Sequence, residues 1–283
     1  MLIDTHAHVN FRSFKDDAKE TLQRALDNGT WVINVGSQID TSRQAVELAS
    51  QFEQGVYAVI GLHPEHTHSQ HVDEEETHFL SREEKFNSLD YQTIVRNPKV
   101  VGIGECGLDY YRLPEDKSLH EDVKQKQISA FRKQINFAKE YDKVLVVHSR
   151  PEKGSDELYK DMLKVFVEEK VSDMRFEVHS YTHTPEFFQK FLSLGAYVSF
   201  NGIITFDKTG NMAELVKMAP MDKILLETDC PYLSPVPMRG KRNEPLYVKY
   251  VAEKVAEIKN LSVQEIEEST TGNAIRLFKL PSP

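Results

Sequence analysis

Several large protein classes are excluded by what the chain has little of. Its 283 residues include only two cysteines, Cys106 and Cys230, too few for a disulfide framework. They stand far apart, in no zinc-knuckle spacing. A buried free thiol is the expected role of each, with a metal ligand or nucleophile as the alternative. Apolar runs reach only about four to six residues, against the ~20 a membrane helix needs. Basic residues are not in excess: 35 Lys and Arg face 44 Asp and Glu, a net charge of −9. That argues against a passive nucleic-acid coat. It leaves room for a nuclease, because bound metal ions bring their own positive charge. No Gly-rich phosphate loop follows the first apolar run, no Pro/Gly/Ser linker divides the chain, and no repeat is evident. The start, MLIDTHAHVN, has neither a basic stretch nor a long apolar one. It does not read as a signal peptide, so a cytoplasmic protein is expected.

What is present is an ordinary globular composition, 40% hydrophobic and 28% charged, arranged as short apolar runs alternating with longer amphipathic stretches. Strands are predicted at Leu2–Thr5, Trp31–Val35, Val56–Ile60, Val100–Gly104, Val144–Val147, Met174–Val178, Ala196–Phe200 and Lys223–Glu227. They are rich in Val and Ile and nearly continuous in apolar character, as strands buried on both faces are. Helices are predicted at Asp16–Asp27, Thr41–Phe52, Lys117–Tyr141, Ser155–Lys170, Thr184–Ser193, Asn211–Met218, Tyr247–Lys259 and Val263–Phe278. Thr41 and Ser155 suit helix N-caps, and Gly29 and Gly195 suit helix stops. Eight strands each followed by helix point to a (β/α)8 TIM barrel, a single domain over residues 1–283. The doubly wound open sheet is the competitor. His63 to Asn97 exceeds a minimal barrel and reads as a surface loop plus a helix, with DEEE at 73–76.

The polar residues fall where those strands end. The first ends in Asp4-Thr5-His6-Ala7-His8, and two histidines two apart on an extended strand share a face. Neutral imidazoles so placed can chelate one metal ion. Glu105 ends the fourth strand, His148 the fifth, His179 the sixth and Asp229 the eighth. In a TIM barrel the C-terminal strand ends build the active site. A carboxylate there needs positive compensation, and no Lys or Arg is adjacent in sequence to Glu105 or Asp229. Any one of these residues alone reads better as a satisfied core polar group or a solvated residue of a βα loop. Taken together, four histidines and two carboxylates exceed what one tetrahedral ion requires. They suit two divalent ions about 3.5–4 Å apart that share a bridging carboxylate and activate water.

The same residues lie within motifs that resemble the TatD-type metal-dependent deoxyribonucleases of the amidohydrolase-like barrels. The motifs are DTHAH (4–8), GLHP (61–64), GIGECGLDYYR (102–112), VVHSR (146–150), ETDCPYL (227–233), RGKRNEP (239–245) and NAIRLF (273–278), spread over essentially the whole chain. The resemblance implies that His6, His8 and Asp229 hold one metal and His148 and His179 the other, with Glu105 bridging. Many related barrels use a carboxylated lysine where this chain has Glu105. It further implies Asp229 as general base. His63 should lie near a substrate phosphate, or else make a backbone hydrogen bond within its loop. Arg150 suits a phosphate oxygen or a salt bridge. Arg239, Lys241 and Arg242 suit a basic rim or a solvated loop. Tyr110 and Tyr111 suit stacking on a base or packing in the barrel mouth.

Two features depart from the pattern. The family commonly has His-Cys-Phe-Thr-Gly after the sixth strand, where this chain has His179-Ser180-Tyr181-Thr182-His183. His183 in place of Gly puts the shape of the pocket in question. The run His63, His66, His68, His71 and His78 reads as a polar loop, with a third metal site as the alternative. The expected function is a deoxyribonuclease that uses two divalent ions (Mg, Mn or Zn) and acts on DNA, without a membrane or an obligate protein partner. The alternative is a metal-dependent hydrolase of a small-molecule ester, amide or phosphate. A non-catalytic metal scaffold is the third reading, disfavoured by the complete ligand set.

Overall fold

The computed structural model describes residues 1–69, 76, 81 and 83–282. Its eight apolar runs form one parallel sheet in the order β1 to β8: β1 Leu2–Ala7, β2 Thr30–Val35, β3 Val56–Ile60, β4 Val100–Asp109, β5 Val144–Arg150, β6 Phe176–Val178, β7 Tyr197–Phe200 and β8 Ile224–Leu226. The ring closes just beyond β8. Ala7 bridges Cys230, His8 N–H donates to Cys230 O at 2.8 Å, and Asp229 N–H donates to His6 O at 2.8 Å. Nine helices are described: α1 Ala18–Asp27, α2 Ile39–Ala49, α3 Ser88–Val95, α4 His120–Glu140, α5 Glu157–Glu168, α6 Pro185–Ser193, α7 Asn211–Met218, α8 Val248–Lys259 and α9 Val263–Phe278. This is the expected (β/α)8 TIM barrel. None of these helices is long and apolar enough to cross a membrane.

Strand alternation sorts the core into two layers. Val32, Val56, Ala58, Leu145 and Val147 face outward onto the helices. Ile33, Val35, Tyr57, Val59, Val144, Val146 and Leu225 face inward and fill the barrel. Leu277 and Phe278 of α9, with Leu280 after it, pack onto the same inner cluster and close its floor.

The element ends differ from expectation in instructive ways. β4 runs five residues past Gly104, with a register shift against β5 between Ile103 and Cys106. Gly104 and Gly107, at φ +151° and +145°, permit it. A Cβ on Gly104 would stand 2.5 Å from Val146 O, and one on Gly107 2.1 Å from His148 O. Only glycine lets β4 press so closely on β5, and Glu105 sits between the two. α2 begins at Ile39, so Thr41 is not the cap; its hydroxyl instead accepts from Gln38 N–H at 3.0 Å in a capping box. At α5 the cap position belongs to Asp156, while Ser155 Oγ accepts from Glu157 N–H at 3.2 Å. Gly29 and Gly195 do stop their helices, at φ +73° and +94°. The excursion after β3 contains a 3-10 turn, Pro64–Thr67, and α3. His71, His78 and residues 73–75 lie outside the described residues.

Candidate metal centre

His148 and His179 stand at the ends of inward-facing rows. His148 follows Val144 and Val146 on β5, and His179 follows Glu177 on β6. Opposite them β1 carries His6, His8 follows it directly, and the turn after β8 carries Asp229, itself in a left-handed conformation at φ +55°. Glu105 lies in the middle. Its Oε1 is 2.7 Å from His148 Nδ1 and 2.7 Å from His179 Nε2. Its Oε2 is 3.3 Å from His6 Nε2 and 3.7 Å from His8 Nε2. Asp229 Oδ1 completes the other side, 3.4 Å from His8 Nε2 and 4.0 Å from His6 Nε2. All six residues predicted as ligands therefore converge on one point.

The outward nitrogens fix which ring atoms face inward. His8 Nδ1 donates to Val35 O at 2.8 Å, so the neutral ring turns a bare Nε2 lone pair toward the centre. His148 Nε2 lies 3.2 Å from Asp109 Oδ2, which leaves Nδ1 as the lone pair against Glu105. His179 turns Nε2 toward Glu105, with its Nδ1 3.6 Å from Glu227 Oε2, too far to fix the tautomer. Glu227 is itself held by Ser199 Oγ at 2.5 Å and Asn201 Nδ2 at 2.9 Å. Three imidazole nitrogens thus face carboxylate oxygens at close range, an arrangement that calls for a cation or protons between them.

The titration behaviour follows. Burial pulls His8 and His148 down, but their carboxylate neighbours outweigh it and raise both. His179 rises well above its ordinary value against the same burial penalty, through Glu105 and Glu227. Burial would raise Glu105, yet the surrounding histidines hold it well below the carboxylate range. Asp229 is also lowered, its burial penalty outweighed by His8 and the neighbouring rings. No Lys or Arg among the described residues forms an ion pair with Glu105 or Asp229. The donor set, imidazole nitrogens and carboxylate oxygens with second partners fixing the rings, therefore fits divalent metal ions. Three triads come within ligating range of one another: His6, His8 and Asp229; His6, Glu105 and His179; His63, Glu105 and His148.

The centre opens into a cavity of about 480 Å³. His63 lines it, with Nε2 3.5 Å from Glu105 Oε1 and Nδ1 accepting from Glu65 N–H at 3.3 Å, so it serves loop and centre together. Burial and the nearby His148 pull its pKa down to about 4, so this ring is neutral at physiological pH. Arg150 lines the mouth and stacks 4.1 Å from the centre of the exposed Tyr111 ring. Tyr110 is buried and donates to Asp161 at 2.8 Å, so it packs and is not free to stack on a base. The basic rim is largely spent on structure. Arg242 pairs with Asp17 and covers Phe14, while Arg239 donates to Ser234 O and covers Phe206. His183 does not line the cavity; it turns outward, 2.9 Å from Asp156 and stacked on Tyr159. The left-handed residue in that segment is Ser180, at φ +48°. Burial raises both thiols well above their ordinary range, which suits inert core cysteines.

Sequence reasoning missed four participants. Asp109 and Glu227 had a signal, since each lies on the same strand face as a predicted ligand, four residues after Glu105 and two before Asp229. Arg112 and Glu65, ion-paired in the cavity wall, had none, because the chain brings them together from 47 residues apart.

Comparison with known proteins gives the architecture its family. Residues 3–279 match the family described as TatD related DNase. The chain belongs to it. This TatD-family chain is 35% identical over 281 residues to the uncharacterized metal-dependent hydrolase YabD of Bacillus subtilis, covering 99% of this chain and 100% of that one. It is 27% identical over 285 residues to the 3'-5' ssDNA/RNA exonuclease TatD of Edwardsiella piscicida, covering 99% and 100%. Among solved structures, YjjV, a TatD homologue from Escherichia coli, superimposes with a TM-score of 0.78 at 26% identity, covering 99% and 98%. The protein is a metal-dependent hydrolase of the TatD family.

Proposed function

We propose that the protein is a deoxyribonuclease that hydrolyses phosphodiester bonds in DNA, trimming single-stranded ends, with two divalent cations (Mg, Mn or Zn) at the barrel mouth. The observation that carries this reading is the convergence of three imidazole nitrogens on the oxygens of Glu105 and Asp229. His6, His8 and Asp229 would hold one ion and His148 and His179 the other, with Glu105 between them. Bound there, the ions would supply the positive charge that acidifies a water and polarises a phosphoryl oxygen. Asp229 reaches into the cavity as an ionised carboxylate, ready to accept the proton that the attacking water loses. The histidines around Glu105 outweigh its burial and hold its carboxyl well below the ordinary range, which suits the charged form a metal ligand needs. Neutral His63 offers a hydrogen bond to a phosphate oxygen, and the Arg150 guanidinium meets the phosphate at the mouth. The exonuclease relative from Edwardsiella piscicida supports the substrate class.

The test is cleavage of end-labelled single-stranded DNA by metal-stripped protein reloaded with Mg, Mn or Zn. Shortened products are expected; intact substrate with every metal, beside an active control nuclease, would sink the reading. One observation favours the alternative, hydrolysis of a small ester, amide or phosphate. Arg239 and Arg242 are committed to structural contacts, so little basic rim is left to steer a polyanion. A panel of small esters, lactones and phosphate monoesters decides between them.

A further inference from the structure

The mouth of the cavity divides by chemistry in the order of the strands. Phe11 follows β1, Ile203 follows β7 and Leu233 follows β8, and all three line the cavity. Those three strands are neighbours in the closed ring. Arg150 ends β5, which stands opposite β1 in a ring of eight. Ile203 and Leu233 are each half-buried, so part of each side chain stays open to the cavity. Metal ligation and proton transfer use none of these apolar side chains.

The apolar side is fixed on the metal centre. A Cβ on Gly202 would stand 2.0 Å from Leu233 O, so only glycine lets the loops after β7 and β8 meet there. Val236 N–H donates to Thr205 Oγ1 at 2.9 Å and ties the same two loops again. Ile203 N–H donates to Asn201 Oδ1 at 3.1 Å, and Asn201 Nδ2 donates to Glu227, the carboxylate beside His179. Phe11 lies flat on His8, ring centres 4.3 Å apart and planes 15° from parallel. An apolar wall is thus held at a set place beside the ligands, facing a guanidinium across the mouth.

We propose that Phe11, Ile203 and Leu233 form a base subsite, which takes the face of a terminal nucleobase while its phosphate lies between the metal centre and Arg150. The proposal rests on the nuclease reading and adds where the base goes. The cavity, about 480 Å³, falls in the range of about 300–1,000 Å³ that holds one small ligand, so it accommodates a single nucleotide unit. None of the three side chains carries a hydrogen-bonding group, so they bury a base without reading its edge.

The experiment is calorimetric titration of Mn(II)-loaded protein with deoxyadenosine 5′-monophosphate and, separately, with 1,2-dideoxyribose 5-phosphate, which keeps sugar and phosphate and lacks the base. The nucleotide is expected to bind about tenfold tighter or more. Equal affinities in wild type would overturn the subsite, and that comparison needs no variant to fold. Ile203→Ser should bring the nucleotide's affinity toward that of the sugar phosphate and leave the sugar phosphate unchanged; weakening of both alike would refute the assignment. Arg150→Ala should weaken both ligands by the same factor. The nuclease reading fails separately. A tenfold preference for the nucleotide with no cleavage of labelled DNA keeps the base subsite and removes the polymer substrate. Cleaved DNA with equal affinities for the two ligands keeps the nuclease and removes the subsite.

Discussion

The two halves of the barrel interior are built on the same strands and obey opposite rules. In the lower half Ile33, Tyr57, Val59, Val144 and Leu225 form a hydrocarbon plug. Two to four residues further along, the same inward face carries His148 on β5 and Glu227 and then Asp229 after β8. A layer of buried carboxyls marks the change. Glu177 is fully buried, and burial drives its carboxyl well above the ordinary range. The lower half stabilises by excluding water. The upper half holds lone pairs and charges against one another, which contributes little to folding and prepares a place for cations.

The sharpest way to break this contrast is to change each half and look for the wrong effect. Asp229→Asn should reduce turnover by about 10²–10⁴-fold, with a melting curve close to wild type. Activity surviving that change, measured on labelled DNA or on any substrate found, would remove Asp229 from the chemistry. Leu225→Ala, in the plug, should cost about 2–5 kcal/mol of stability, read from urea denaturation, while the folded fraction keeps its metal and its activity. A loss of metal without a loss of stability would mean that the plug and the centre are not separate systems. Chelation should act on the upper half alone. If each ion binds with a Kd about a hundred times below its free concentration, removing it lowers stability by about 2.7 kcal/mol per site and shifts the melting temperature down. An unchanged melting temperature after confirmed metal loss would contradict the site.

The smallest effect lies outside both halves. Arg242 donates to both oxygens of Asp17 and so holds that carboxyl below its ordinary range. A depressed carboxyl contributes stability above about pH 4 and loses it as the pH falls through the depressed value. Arg242→Ala should therefore cost less than about 1 kcal/mol at neutral pH, as a solvent-screened pair does. The difference from wild type should vanish in acid; a gap that persists at pH 2 would assign the effect to packing on Phe14 instead.

The barrel was legible in the sequence because parallel strands buried on both faces read as continuous apolar runs, and each run lies within or overlaps one strand. The convergence of the six candidate ligands was legible because each interrupts or ends such a run with an ionisable residue. Segment ends were less legible. Thr41 suits a cap chemically, yet its hydroxyl caps from inside the helix. β4 reaches Asp109 through a bulge that only its glycines reveal. The His183 substitution proved harmless to the cavity because the left-handed turn falls three residues earlier, at Ser180. The Glu65 to Arg112 pair was invisible, since long-range ion pairs leave no periodicity in a chain.

The end of α9 gives the cavity a consequence of its own. With Leu277, Phe278 and Leu280 sealing the base, the barrel is a cup and not a tunnel. A strand cannot be threaded through it, so a polymer can present only a terminus or lie across the brim. Whatever is cut free has to leave past the chain it came from. For a nucleic-acid substrate this favours release after each cut over continuous travel along the strand, and it makes the departing fragment a natural competitor for the next end.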